Sequence, residues 1–199
     1  MRETVVQQFK QPSGVLGRLA GFIMAHRASN RLRNAWAVSQ LQVEPHHRVL
    51  EIGCGPGIAL EHLAALATKG RVVGVDHSSL MVEAASTRNA EAVATGRVTV
   101  IHGTADAAAE LGEFDRVLAV NVAQFWDAPV ETLRTLHRMM APNGILGIAF
   151  QPRNKGATDE DARRGAERNR SYLIEAGFRD LKIETLMLEP MATCVLGGA

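Results

Sequence analysis

Apolar residues recur along this chain in two rhythms. From Val15 the positions Val15, Leu16, Leu19, Phe22 and Ile23 keep the i, i+3, i+4, i+7 spacing of an amphipathic helix, after a start signal at Pro12-Ser13. A second helical segment runs around Leu32 to Leu41 and carries Trp36. Beyond it, short runs of β-branched and aliphatic residues take over. They predict strands at 48–52, 72–76, 98–102, 116–121 and 145–150, with helical periodicity over 58–69, 80–95 and 130–140. Strand alternating with helix is the pattern of a parallel sheet covered on both faces.

After Pro152 comes a polar loop and then a helix, with Thr158 placed to cap it and Asp161 three residues on. Gly177 ends that helix, with Phe178 as the returning apolar residue. Two last strands, at 181–188 and 192–196, are joined by too short a link at Glu189-Pro190 to be parallel. The fold class is therefore α/β, with seven strands in a mostly parallel sheet and an antiparallel last strand.

A chain of 199 residues suffices for one well-buried domain, and no internal repeat divides it. Its 22 basic and 21 acidic residues nearly cancel, so no global positive field draws it to nucleic acid or anionic lipid. A small-molecule partner is favoured. The two cysteines, Cys54 and Cys194, are too few and too far apart for a disulfide framework or zinc cluster, which suits a reducing compartment. With no signal-peptide layout and no membrane-spanning run, the expected setting is cytoplasmic and soluble.

The first strand runs into VLEIGCGPG, residues 49–57, where Gly53, Gly55 and Gly57 alternate. Three such glycines exceed what a turn requires and mark a place where backbone meets a ligand. The dinucleotide fingerprint would put its third glycine at 58, where this chain has Ile58, and Pro56 removes an amide donor from the loop. Glu51 adds negative charge, which suits an amino-bearing ligand better than a pyrophosphate. Asp76 ends the next strand, where a carboxylate can accept from both ribose hydroxyls of an adenosine, or alternatively cap a helix. Asp106, in Gly103-Thr-Ala-Asp106, brings a second carboxylate to the same edge, so that one could serve ribose and the other the adenine amino group.

In order and spacing, VLEIGCGPG, VVGVDHS (72–78) with Met81, GTAD (103–106), FDRVLAVNVAQFW (114–126) and LHRMMAPNGILGIAF (136–150) resemble the successive motifs of class I S-adenosylmethionine-dependent methyltransferases. The likeness spans roughly residues 45 to 199, and the terminal antiparallel strands are similar to that family's last two. It implies a Rossmann-like three-layer sandwich: one structural domain, in which 45–199 form the methyltransferase domain and 1–44 an N-terminal helical lid. S-adenosyl-L-methionine would be the donor, with S-adenosyl-L-homocysteine as product and no metal expected. On this resemblance Glu51, Gly53, Cys54 and Gly55 lie against the methionine part, Asp76 holds ribose, and His77 and Met81 flank the adenine. Thr104, the Ala105 amide and Asp106 face the adenine amino group, while Asn121 and Val122 lie near the methionine amino group. Asn30 and Trp36 come from the lid. Asn143-Gly144 departs from the family's usual pair of glycines, though asparagine tolerates left-handed backbone.

Towards the acceptor, His26 falls on the apolar face of the first helix beside Phe22. It is a candidate general base, or else a packed ring. Phe125 and Trp126 read either as core or as a pocket wall for a planar or apolar acceptor. Cys54 is read as chosen for its small size, and Cys194 as core. His46, His47 and His102 show no metal-ligand spacing. The expected function is methyl transfer to a small-molecule acceptor, by a monomer or homodimer. Two alternatives stand beside it. One is a non-catalytic donor-binding module, since no large insertion follows the fifth strand to build an acceptor cap. The other is a nucleic-acid or protein methyltransferase, weakened by the absence of basic excess and by Asn121-Val-Ala-Gln where base modifiers carry Asn-Pro-Pro-aromatic.

Overall fold

The computed structural model describes residues 28–199. The helix expected from Val15, with Phe22 and His26, lies outside the described residues. From Ala28 the chain forms α1 (Ala28–Gln40), β1 (Arg48–Ile52), α2 (Ile58–Leu66), β2 (Arg71–Asp76), α3 (Ser79–Arg88), α4 (Ala90–Ala94) and β3 (Val98–His102). A 3-10 segment, Ala105–Leu111, leads to β4 (Phe114–Val120), and a second one, Ala123–Phe125, to α5 (Pro129–Arg138). Then follow β5 (Met140–Phe150), α6 (Asp159–Ala176), β6 (Arg179–Leu186) and β7 (Ala192–Gly198).

The seven strands form one sheet in the order β3-β2-β1-β4-β5-β7-β6, with β7 antiparallel to both of its neighbours. Adjacent residues on the inner strands point to opposite faces, and both faces are buried. Val49 and Val72 pack with Leu60 and Leu63 of α2 and with Ala37, Val38 and Leu41 of α1. Leu50 and Val73 pack on the other side with Leu133 and Leu136 of α5 and Leu173 of α6. Cys194 is fully buried in β7. Strand order turns back on itself between β1 and β4, so the connections leaving these two strands diverge and open a crevice at their C-terminal ends.

Local signals set the ends of α6. Asp161 N–H donates to the Thr158 hydroxyl and the Asp161 carboxylate accepts from Thr158 N–H, a reciprocal capping box, and Gly177 closes the helix at φ 102°. Asn143 sits at φ 65°, the left-handed backbone expected of it. The helix expected over 80–95 is instead two helices, broken at Asn89. The Asn89 side chain is buried and donates to Ala85 O (2.9 Å) and Gly57 O (3.1 Å), tying the end of α3 to the entry of α2. Among the described residues no helix is long and apolar enough to cross a membrane.

Candidate active site

A cavity of about 580 Å³ occupies the crevice at the strand ends. Its first wall is the loop after β1, where Gly53, Gly55 and Gly57 adopt φ of 68°, 51° and 78°. Gly53 N–H and Cys54 N–H both donate to Val75 O, at 2.8 and 3.1 Å, which anchors the loop to β2. At Gly57 a Cβ would stand 2.6 Å from Asn89 Nδ2 and 2.9 Å from Ala85 Cα, so the close approach of α3 requires glycine there.

Asp76 organises the same rim. Buried at the end of β2, it accepts from Gly55 N–H through Oδ2 (2.8 Å) and from Ser78 N–H through Oδ1 (2.9 Å). Each oxygen keeps capacity for a further donor. His77 stands beside it, with Nδ1 3.8 Å from Asp76 Oδ1. Met81 is buried and Asp106 exposed, and both border the cavity together with Thr104 and Ala105.

Glu51 differs in kind. Its carboxyl is buried beneath the loop, and among the described residues Oε2 has no hydrogen-bond partner. Burial first, and the nearby Asp76 second, push it well above the ordinary 4.5, while the Leu60 amide in the first turn of α2 pulls the other way. The same causes act on Cys54: burial, then Glu51 and Asp76, raise its thiol well above 9.0, so it stays protonated and small.

Of the donor-contacting residues expected from sequence, all but Trp36 border this cavity. Trp36 is the correction. On α1 the inward face carries Asn30, Arg33 and Asn34 and continues into Ala37, while Trp36 is rotated off that face and packs against the core formed with α2. Asn121 borders the cavity at φ 52° with its side chain already engaged: Nδ2 donates to Gln151 O (2.8 Å) and Oδ1 accepts from Gln151 N–H (2.9 Å), extending the β4–β5 ladder by one step. Phe125 and Trp126 both line the cavity, and Trp126 also packs on the core.

Arg33, Asp127 and Glu131 also border the cavity and were missed from sequence. The available signal for Arg33 was its place with Asn30 and Asn34 at i, i+3 and i+4, in register with the apolar stripe that follows. His46 and His47, which showed no ligand spacing, fold together with Glu44 in the turn before β1 with ligand atoms within 4.8 Å. There His47 Nδ1 already accepts from Glu44 N–H (2.9 Å), and the turn precedes β1, whereas the cavity opens at the opposite ends of the strands.

Comparison with known proteins points the same way as this geometry. The Methyltransferase domain family matches residues 49–144. An uncharacterized methyltransferase of Bacillus subtilis, YdaC, is 28% identical over 173 residues, 86% of this chain and 92% of that protein. The chain is a class I S-adenosylmethionine-dependent methyltransferase. A ubiquinone biosynthesis O-methyltransferase of Azorhizobium caulinodans is 38% identical to it over 103 residues, but these make up 51% of the methyltransferase described here and 39% of that relative. Solved structures share the fold: a SAM dependent methyltransferase from Aquifex aeolicus (TM-score 0.65, 19% identity, 84% and 92% of the two chains) and a precorrin-6y C5,15-methyltransferase from Geobacter metallireducens (TM-score 0.67, 13% identity, 86% and 88%).

Proposed function

We propose that this methyltransferase acts on a small, largely planar acceptor, with its donor laid along the rim from Glu51 to Asp106. The observation that carries the donor assignment is the orphaned Glu51 Oε2: a buried acceptor without a donor fits a ligand ammonium, as in the methionine part of S-adenosylmethionine. Asp76 takes the ribose hydroxyls, and Thr104, Ala105 and Asp106 stand where the adenine edge is read. Bound there, S-adenosylmethionine supplies an electrophilic methyl on a sulfonium.

The protein's part is then positioning. Holding two ends of the donor leaves its sulfur aimed at the space bordered by Phe125 and Trp126, and alignment of this kind is worth effective molarities of about 10⁵–10⁸ M. Phe125 and Trp126 supply flat apolar surface for the acceptor. A cavity of about 580 Å³ is of small-molecule size. Ubiquinone biosynthesis and magnesium protoporphyrin IX methyltransferases among its relatives and structural neighbours favour a small-molecule acceptor as well.

The test is turnover. The enzyme, given methyl-labelled donor and a panel of phenols, carboxylates, amines and thiols, is expected to release S-adenosylhomocysteine and a labelled small molecule. Label appearing in protein or nucleic acid but in no member of the panel would overturn the acceptor assignment.

A further inference from the structure

Arg88 is the last residue of α3 and Asn89 separates α3 from α4. Both reach back to the loop after β1, where Arg88 Nε donates to Pro56 O (2.9 Å) and Asn89 Nδ2 to Gly57 O (3.1 Å). Two consecutive loop carbonyls are thus held by two consecutive side chains that lie 32 residues further along. Asn89 Nδ2 also donates to Ala85 O (2.9 Å), so both amide hydrogens are spent on this junction. Arg88 has a separate engagement, with Nη1 3.5 Å from the carboxylate of Glu61, an exposed residue in the first turn of α2. An exposed pair of that kind contributes little to stability.

The loop needs such fastening. Gly55 and Gly57 stand at φ 51° and 78°, and glycine adopts many other conformations as readily, so these two residues do not themselves choose a shape. Pro56 between them has no N–H to anchor. The anchors come from outside: Gly55 N–H is held by Asp76 of β2, and the next two carbonyls by α3. In a trans peptide the N–H points away from the C=O. Holding Pro56 O on α3 therefore turns Gly57 N–H the other way, where Cys54 O accepts it (3.0 Å) and closes the turn. Pro56 borders the cavity, whereas Arg88 and Asn89 stand behind it and do not.

Resting on the donor assignment proposed above, we infer that Arg88 and Asn89 are positioning residues for methyl transfer. They act through the Pro56 and Gly57 carbonyls and hold the glycine loop in the shape that receives the methionine part of the donor.

Calorimetric titration of the full chain with S-adenosylhomocysteine and with 5′-methylthioadenosine tests this, because the second ligand keeps the nucleoside and the sulfur but lacks the amino-acid end. Arg88→Met keeps the stem and removes both engagements. It is expected to weaken S-adenosylhomocysteine about five- to tenfold, the scale of one lost hydrogen bond to a charged group, and to leave 5′-methylthioadenosine within about twofold of wild type. Arg88→Lys restores part of the preference for S-adenosylhomocysteine. Glu61→Gln removes the ion pair alone and leaves both affinities at the wild-type values. Asn89→Ala lowers the same preference but also stability, since Asn89 is buried, so Arg88→Met decides. Thermal unfolding checks that each variant is folded.

A folded Arg88→Met that binds S-adenosylhomocysteine as wild type does would overturn the assignment. So would equal weakening of both ligands, which marks a structural role only, or the same loss of preference in Glu61→Gln, which places the effect in the ion pair. A folded wild type that binds neither ligand brings down the donor assignment itself, whereas a wild type that prefers S-adenosylhomocysteine, with Arg88→Met unchanged, brings down the positioning role alone.

Discussion

The rim at β2 and the floor at β1 each place a buried carboxylate at the cavity, and the two are treated in opposite ways. Asp76 has a backbone N–H on each oxygen and fastens the glycine loop to the start of α3. Glu51 keeps an oxygen without a hydrogen-bond partner among the described residues and is held well above its ordinary 4.5 by burial and then by Asp76. The satisfied group builds the cavity's shape. The unsatisfied one states what chemistry the cavity lacks, a hydrogen-bond donor. A buried carboxyl oxygen that lacks a donor suits the ammonium end of an amino acid.

That contrast is broken most severely at Gly57. Gly57→Ala combines a φ of 78° with a Cβ 2.6 Å from Asn89 Nδ2 and 2.9 Å from the Ala85 main chain. Urea unfolding should show a loss of about 3 kcal/mol or more. Gly55→Ala is the matched control. Among the described residues nothing lies within 4 Å of its added Cβ, so at φ 51° it should cost about 1–2 kcal/mol in stability, with the greater damage in nucleoside affinity.

Asp76→Ala removes the acceptor of two amides and, in the proposed complex, of the ribose hydroxyls. Calorimetry should record about 1–3 kcal/mol less S-adenosylhomocysteine binding, with a comparable fall in stability. Unchanged affinity in a folded variant would remove Asp76 from the site.

Glu51→Gln separates shape from chemistry. Because the folded pKa is raised, the folded chain holds a proton that the unfolded chain has released, and stability falls as pH rises from 4.5 through the folded value. The ligand-free variant escapes that fall, so its stability should gain on wild type with rising pH across the window, while S-adenosylhomocysteine binds about tenfold more weakly. Parallel pH–stability curves for the two proteins would show that Glu51 is already ionised at little cost.

Thr158→Ala marks the smallest effect. The cap lies on α6, outside the cavity, and its loss should cost about 0.5–2 kcal/mol in stability with nucleoside affinity unchanged.

What could be read from the sequence was what neighbouring residues decide. The loop at 49–57, the cap at Thr158, the stop at Gly177 and the antiparallel closing strands each depend on a few consecutive positions, and each is present. The break at Asn89 was hidden because its amide bonds Gly57 O, 32 residues away. Arg33 was hidden for the same reason, since Gln151, whose Oε1 accepts from it, lies 118 positions further along. At Asn121 tertiary pairing turned the side chain to β5, and at Trp36 helix rotation set the ring off the inward face, and neither effect is written in neighbouring residues.

The most direct test of the donor assignment is a crystal structure with S-adenosylhomocysteine. The account predicts the ligand's amino nitrogen within hydrogen-bond distance of Glu51 Oε2 and its ribose hydroxyls on Asp76. A nucleoside bound elsewhere, or one seated here while Glu51 Oε2 still lacks a donor, would contradict it.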